Sequence, residues 1–376
     1  MTHKPPSSTA TSTTGIKLTA IAFISCLGLI GLLSVVQYQH TEWGSEHWLD
    51  GQQTELYETR FDNSFPLKQF SVGVWAAIEL VLFNQARPGV TIGHQDWLFS
   101  SEELAVYPAA QDATSDNLAQ IDRIAGQLAS QNIAVIVAVV PAKARIYSEH
   151  LPNGSLYPAT VARHEIFVDW LATKQIPWVS FKEPLLAAKT QQPVFLKTDT
   201  HWTPFGARVA ATHLQQFIST QFTGLINPTD QFKTTVTDPQ PFEGDLMSFI
   251  PVRDLFPGLG PSADWLSAEQ TELIATTDSA SENSLFTDQP DFDITLVGTS
   301  YSANDRWNFQ GALQQATGQQ ILNYAELGVG PIKPMLNYLA SNDFQQSPPR
   351  LIIWEFPERF LPVANPAAAL TEASSP

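Results

Sequence analysis

The sequence predicts an α/β domain, a mainly parallel sheet sandwiched by helices, behind one N-terminal membrane-spanning segment. Three observations point there. The runs IAVIVAVVPA (133–142), FDITLVG (292–298) and RLIIWEF (350–356) are dominated by apolar, often β-branched side chains, the pattern of strands buried on both faces. Amphipathic stretches with helical spacing alternate with these runs, which places helices over a parallel sheet. Ahead of them, residues 18–36 read LTAIAFISCLGLIGLLSVV without a single charge.

At 1.5 Å per residue that run spans roughly 28 Å, about one hydrocarbon core. Lys4 and Lys17 precede it, whereas Glu42, Glu46 and Asp50 follow it. The positive-inside rule then leaves residues 1–17 in the cytoplasm and sends the rest outward, into the periplasm of a bacterium. A cleaved signal peptide is the rival reading. The run is long for one, and no small-x-small cleavage site follows it. Cys26, the one cysteine, lies inside the run, so no intrachain disulfide is possible.

Residues 37–64 are polar and read as a juxtamembrane linker, and the folded domain is expected over 65–361. Helical spacing marks 67–84, stopped by Pro88-Gly89, and VTIGHQDWLFS alternates like a hairpin. From Ser115, SDNLAQIDRIAGQLASQN reads as an amphipathic helix capped by that serine. After the strand at 133–142 come a helix over 158–174 and a strand near 177–181. Thr203 is the expected N-cap of the next helix, with Pro204 in its first turn. Residues 226–290, rich in Thr, Pro, Asp, Ser and Gly, read as an irregular insertion over the sheet's edge or a lid. Beyond the strand at 292–298 follow a helix, a short strand ILNYAE, a helix near 331–341 and the strand RLIIWEF. Residues 362–376 have the composition of a disordered tail.

Of 376 residues, 43% are hydrophobic and only 15% charged, a globular composition. With 37 acidic against 20 basic residues and no basic run, nucleic acid is excluded as a partner. The same charge of −17 opposes a strongly anionic substrate unless cations gather at the site.

Chemistry concentrates in two stretches. LKTDTHWTPFGA (196–207) holds Asp199 and His201 two positions apart just before a helix. GTSYS (298–302) puts Ser300 just past a buried strand, where sheet ligands bind. A serine hydroxyl needs a base for its proton, and the base needs an acid to fix its tautomer; Ser300, His201 and Asp199 supply all three. GTSYS is not the G-x-S-x-G elbow, since Ser302 replaces the second glycine. A metal site would need a third ligand, and the other histidines form no metal-spaced cluster. A plain helix start with Trp202 packed beneath it stays open on the residues alone.

With both stretches in hand, the sequence resembles the alginate O-acetyltransferases of the AlgJ/AlgX type, SGNH-hydrolase-like proteins of the bacterial periplasm. NSFPLKQF, FNQARPGVTIGHQDWLF, VPAKARIYSEHLP, GDLM, LVGTSYS and IIWEFPERFL carry the likeness as well, over most of 55–361. The N-terminal anchor and the end soon after WEFPER place it on the AlgJ side. The resemblance implies a flavodoxin-like α/β/α sandwich with its motif blocks in rearranged order. It implies Ser300 as nucleophile, His201 as base and Asp199 as orienting acid, with an acetyl-serine intermediate and no cofactor or metal. It further implies an exopolysaccharide acceptor and a membrane-bound O-acyltransferase that supplies the acetyl group. The backbone N–H of Ser300 and Gly328 or Gly330 of ELGVGP are the expected oxyanion donors. Lys143, Arg145, Lys197, Arg306 and Arg359 are expected polymer contacts, with Tyr301 and Trp307 as sugar platforms. A polysaccharide acetyl esterase with the same residues, or a non-catalytic polysaccharide-binding scaffold, are the alternatives.

Overall fold

The computed structural model describes residues 13–37, 52–65, 67–107, 110–226, 228–274 and 292–364. They fall into two compact units: one takes residues up to Phe83 together with Pro251–Leu259, the other takes Asn84–Ile250 and the chain from Gly260.

The larger unit is built on five parallel strands. These are β1 (Ala134–Val140), β2 (Trp178–Ser180), β3 (Ile294–Val297), β4 (Ile321–Asn323) and β5 (Leu351–Pro357), ordered β4-β3-β5-β1-β2. All four pairings are parallel. Every residue of β5 is buried, as is every residue of β1 after Ala134. Successive side chains serve opposite faces, as the pleat requires. Ile136, Ala138 and Val140 join one core cluster with Leu351 and Ile353. Val135, Val137 and Val139 join the other with Ile352, Trp354 and Phe356. The first face is covered by the helices Pro204–Gln221 and Phe309–Thr317, the second by Ala110–Ser130, Pro158–Thr173 and Ile332–Ala340. The expected three-layer sandwich is the observed one.

Parallel strands deliver their following loops to one end. That end therefore receives Lys143 after β1, Ser300 after β3, the 324–331 loop after β4 and Glu358 after β5. Here the site is assembled.

Three expectations change in detail. The helix read from Ser115 begins at Ala110, and Ser115 is an interior residue whose hydroxyl donates to the Gln111 carbonyl (2.9 Å). Its polar first turns did not betray a helix, yet Ala113 and Asn117 are buried there. Part of the stretch read as irregular insertion is ordered. Phe232–Val236 pairs with Glu269–Leu273, and Gln240–Phe242 with Asp264–Leu266, both antiparallel. The first residues of the stretch read as a tail from 362 are ordered: Asn117 Nδ2 donates to the Val363 carbonyl (2.8 Å). The remainder of that tail, 365–376, and residues 275–290 of the insertion lie outside the described residues, as do 1–12 and 38–51.

The smaller unit holds the helices Thr13–Gln37, Gln52–Ser64 and Lys68–Phe83. The first is long and apolar enough to cross a membrane, with mean hydropathy 1.9 over Lys17–Ser34. The second falls within the stretch read as a linker; it is polar in overall composition, with Leu56, Tyr57 and Phe61 its large apolar residues, too few to announce a helix.

Candidate active site

The acid–base loop closes on itself. Phe195 and Trp202 form an isolated antiparallel bridge, and Leu196 N–H donates to the His201 carbonyl (3.2 Å). Thr203 caps the following helix by accepting from Gly206 N–H (3.0 Å), and Pro204 fills the first turn as its fixed φ allows. Trp202, fully buried, pins the loop to the core. Asp199 and His201 thus project from a short, doubly fastened loop.

Ser300 opens the helix Ser300–Ala303, capped by Thr299. Its hydroxyl lies 2.7 Å from His201 Nε2. His201 Nδ1 lies 2.7 Å from Asp199 Oδ1, which also accepts from the His201 backbone N–H (2.9 Å). A carboxylate only accepts, so Nδ1 carries the proton and Nε2 is left to receive one from Ser300. Asp199 and His201 are buried, while Ser300 is half-buried and reachable. Burial alone would raise the Asp199 carboxyl, but hydrogen bonding and charge from His201 outweigh it and hold the pKa below the usual value. The acid is ionised at neutral pH.

The ordered part of the insertion clamps this loop. Asp245 N–H donates to Asp199 Oδ2 (3.0 Å), and the Asp245 carboxylate takes Thr200 N–H (2.8 Å) and Thr200 Oγ1 (2.7 Å). Asp264 takes Lys197 N–H (2.9 Å), Thr198 N–H (2.8 Å) and Thr198 Oγ1 (2.6 Å). Asp245, Asp199 and His201 each bring one possible metal-ligand atom within 4.8 Å of one another. Those atoms already serve the hydrogen bonds above: both ring nitrogens and both carboxylates are committed to protons.

Three buried ionisable side chains sit behind the site. Lys143 Nζ donates to the carbonyls of Leu196 (3.1 Å), Lys197 (3.2 Å) and Asp199 (2.6 Å), so the ammonium gathers the loop from below. Burial lowers its pKa to about 8, opposed first by the charge of Glu103. Glu103, also fully buried, accepts from Lys143 N–H (3.2 Å) and Ala144 N–H (2.9 Å). Glu355 lies under the serine turn, accepting from Thr299 N–H (2.7 Å), Thr299 Oγ1 (3.1 Å) and Ser302 Oγ (3.1 Å). Burial pushes its carboxyl up to about 7 against those bonds.

The residues expected to meet a polymer divide. Tyr301 is 1% exposed, with its hydroxyl on the Thr200 carbonyl (2.9 Å); it ties the serine helix to the acid–base loop. Trp307, also 1% exposed, stacks on the His201 ring (centroids 5.2 Å, 21° between planes). Neither is a surface platform. Lys143 is interior, Arg145 is committed to Glu358 (2.8 and 2.9 Å), and buried Arg359 lies over the Tyr301 ring (5.4 Å). These three cations hold the frame. Lys197 remains half-exposed, and exposed Arg306 sits over the Phe242 and Trp307 rings (5.0 and 5.9 Å). Gly328 and Gly330 take left-handed φ of 76° and 72°, in a loop fastened beside β3 by Glu326 N–H on the Gly298 carbonyl (3.1 Å). The supporting residues Glu103, Asp245, Asp264 and Glu355 were missed. Two of them lie inside stretches that carried the likeness, Asp245 in GDLM and Glu355 in IIWEFPERFL, but neither stretch marked them as supports.

A serine presented past a parallel strand, a base at its hydroxyl and an acid behind the base form the arrangement that serine acyl transfer requires. On this sandwich, it defines an SGNH-hydrolase-like acyltransferase. The comparisons narrow the class. Residues 90–358 match the family model described as "SGNH hydrolase-like domain, acetyltransferase AlgX". The chain is 40% identical to the "Probable alginate O-acetylase AlgJ" of Pseudomonas syringae pv. tomato, over 91% of this chain and 87% of that protein. To that of Azotobacter vinelandii it is 42% identical, over 84% and 81%. Among solved structures, the "O-Acetyltransferase Domain of Pseudomonas putida AlgJ" matches with TM-score 0.66 and 39% identity, over 74% of this chain and 94% of that one. Similarity to "Alginate biosynthesis protein AlgX" of Pseudomonas aeruginosa is lower, 27% over 69% of this chain and 54% of that protein. The chain belongs to the SGNH-hydrolase-like acetyltransferases of the AlgJ/AlgX family, on the AlgJ side, and is an O-acetyltransferase.

Proposed function

We infer that the chain is a membrane-anchored, extracytoplasmic enzyme that carries an acetyl group on Ser300 and passes it to hydroxyls of an alginate-like exopolysaccharide. The single observation that carries the mechanism is the His201 ring, at 2.7 Å from Ser300 Oγ on one side and from Asp199 on the other. The names of the relatives support the acceptor, and the apolar helix Thr13–Gln37 supports the anchor.

In the first half-reaction His201 Nε2 takes the Ser300 proton as Oγ attacks the acetyl carbonyl. The oxyanion is met by the Ser300 backbone N–H and by Gly328 or Gly330. Collapse breaks the bond to the donor's leaving group, which receives the proton from His201. In the second half a sugar hydroxyl yields its proton to His201 and attacks the acetyl-serine; collapse breaks the acyl–Oγ bond, and His201 returns the proton to Ser300 Oγ. Asp199 stabilises the imidazolium in both. A membrane-bound O-acyltransferase is the proposed acetyl supplier. Arg306 and Lys197 are the accessible cations left to meet uronate carboxylates.

Intact-mass spectrometry after an activated acetyl ester tests this reading. One acetyl group on Ser300, lost in Ser300→Ala and discharged onto polymannuronate oligosaccharide, is the expected result. Discharge to water at the same rate with and without oligosaccharide would establish an esterase instead. No acetylation of Ser300 would sink the covalent mechanism.

A further inference from the structure

The helix Lys68–Phe83 reads KQFSVGVWAAIELVLF, with Lys68 and Glu79 its only charged residues. Its buried positions are the small ones, Gly73 and Ala76. Leu255 packs at Gly73, where an added Cβ would come 2.7 Å from Leu255 Cδ1. Most of the large side chains point the other way. At 3.6 residues per turn, Phe70, Val74, Ile78 and Val81 line one stripe, with Trp75 and Leu82 on its flank, over an arc of roughly 140°. Phe70 is 57% exposed, Trp75 59%, Val81 63% and Leu82 68%. A helix that only packed onto its own protein would turn those residues inward and leave the small ones out. A contiguous apolar face of this kind marks a contact surface.

We propose that this stripe is a second membrane contact, lying in the interfacial layer of the bilayer beside the span. The proposal rests on the anchored reading above, because the same compact unit contains the apolar helix Thr13–Gln37. The two helices are thirty residues apart in sequence, so a chain held by the first keeps the second near the lipid. The composition fits lipid chains better than headgroup charge. The helix carries one positive and one negative residue, in a protein whose net charge of −17 is repelled by anionic headgroups. Its aromatic residues are of the kind that settle at membrane interfaces. Trp75 Nε1 donates to Glu79 Oε1 (2.8 Å), so the indole can leave water without an orphaned N–H. Insertion is therefore driven by apolar burial and is independent of the anionic lipid fraction.

The test uses the full chain reconstituted in phosphatidylcholine vesicles whose acyl chains are brominated near the headgroup. Co-flotation and hydrolysis of an activated acetyl ester verify anchoring and folding. Trp75 emission, obtained as wild type minus Trp75→Phe, is expected to be quenched by more than half, equally with and without phosphatidylglycerol. An environment-sensitive dye on Val81→Cys, in a Cys26→Ser background, is expected to shift to the blue on reconstitution. A chain that fails to float overturns anchor and stripe together. A chain that floats with Trp75 unquenched and the dye unshifted overturns the stripe alone, and the face then belongs to a protein partner or a second copy.

Discussion

The larger unit contains two hydrogen-bonded series of serine, histidine and carboxylate, and only one has the support that the proposed chemistry needs. In the second, His164 Nε2 lies 2.8 Å from Ser180 Oγ, and its Nδ1 2.6 Å from Glu165 Oε2. Those distances match the Ser300 site. The support does not. The Asp199 side chain is 4% exposed and both its oxygens are held by fixed N–H groups, whereas the Glu165 side chain is 49% exposed and pairs with Lys182 (3.0 Å). Ser180 Oγ is occupied as a turn acceptor for Lys182 N–H (3.2 Å). A relay is thus identified by what holds its acid and by what its serine is free to do, more than by two short contacts.

The comparison can be broken at either serine. Ser300→Ala is expected to lower hydrolysis of an activated acetyl ester by on the order of 10³- to 10⁶-fold, while Ser180→Ala leaves kcat/KM unchanged. The reverse result would exchange the two assignments. Asp199→Asn should cost about 10⁴-fold in kcat through loss of the correct tautomer. Glu165→Gln, measured in the same assay, should cost nothing.

Support can be tested separately from chemistry. Lys143→Met leaves three carbonyls and the Glu103 carboxylate without their cation, and denaturant titration should register a loss of about 3–5 kcal/mol. Unaltered stability would mean the ammonium is dispensable beneath the loop.

The smallest effect sharpens the contrast through pH. Folding raises the Glu355 carboxyl from its ordinary 4.5 to about 7, so the folded state holds that proton more tightly. The stability this contributes is complete below about pH 4.5 and is lost as pH rises through about 7. Relative to Glu355→Gln, wild type should lose about 3 kcal/mol across that window, read from unfolding curves at each pH. A difference that does not vary with pH would show Glu355 ionised throughout.

Much of this was legible because it is local. The central strands declared themselves by continuous apolar runs, and the loop by Thr203-Pro204 after an Asp–His pair. Ser300 followed from its place after a buried strand. The supports are long-range and escaped for that reason. Lys143 meets carbonyls more than fifty residues away, and a lysine in a loop reads as a surface charge until those acceptors are in place. Arg359 and Arg145 misled in the same way. Asp245 and Asp264 sit in a stretch of low periodicity, where nothing local separates a clamp from an ordinary loop acid. Ser115 obeyed a sound capping rule, but the helix had already begun in residues too polar to show a stripe.

One contact bears on how this domain can be modified. Gly244 lies so close over the acid–base loop that a Cβ would stand 2.3 Å from the Thr198 carbonyl oxygen, and its N–H donates to Thr198 Oγ1 (3.0 Å). The insertion is therefore not an ornament on a hydrolase core. Trimming it to a minimal scaffold would remove the N–H that holds Asp199, and grafting the Asp–His loop into a simpler sandwich would have to bring the glycine with it. The two segments form one portable part, and any redesign must move them together.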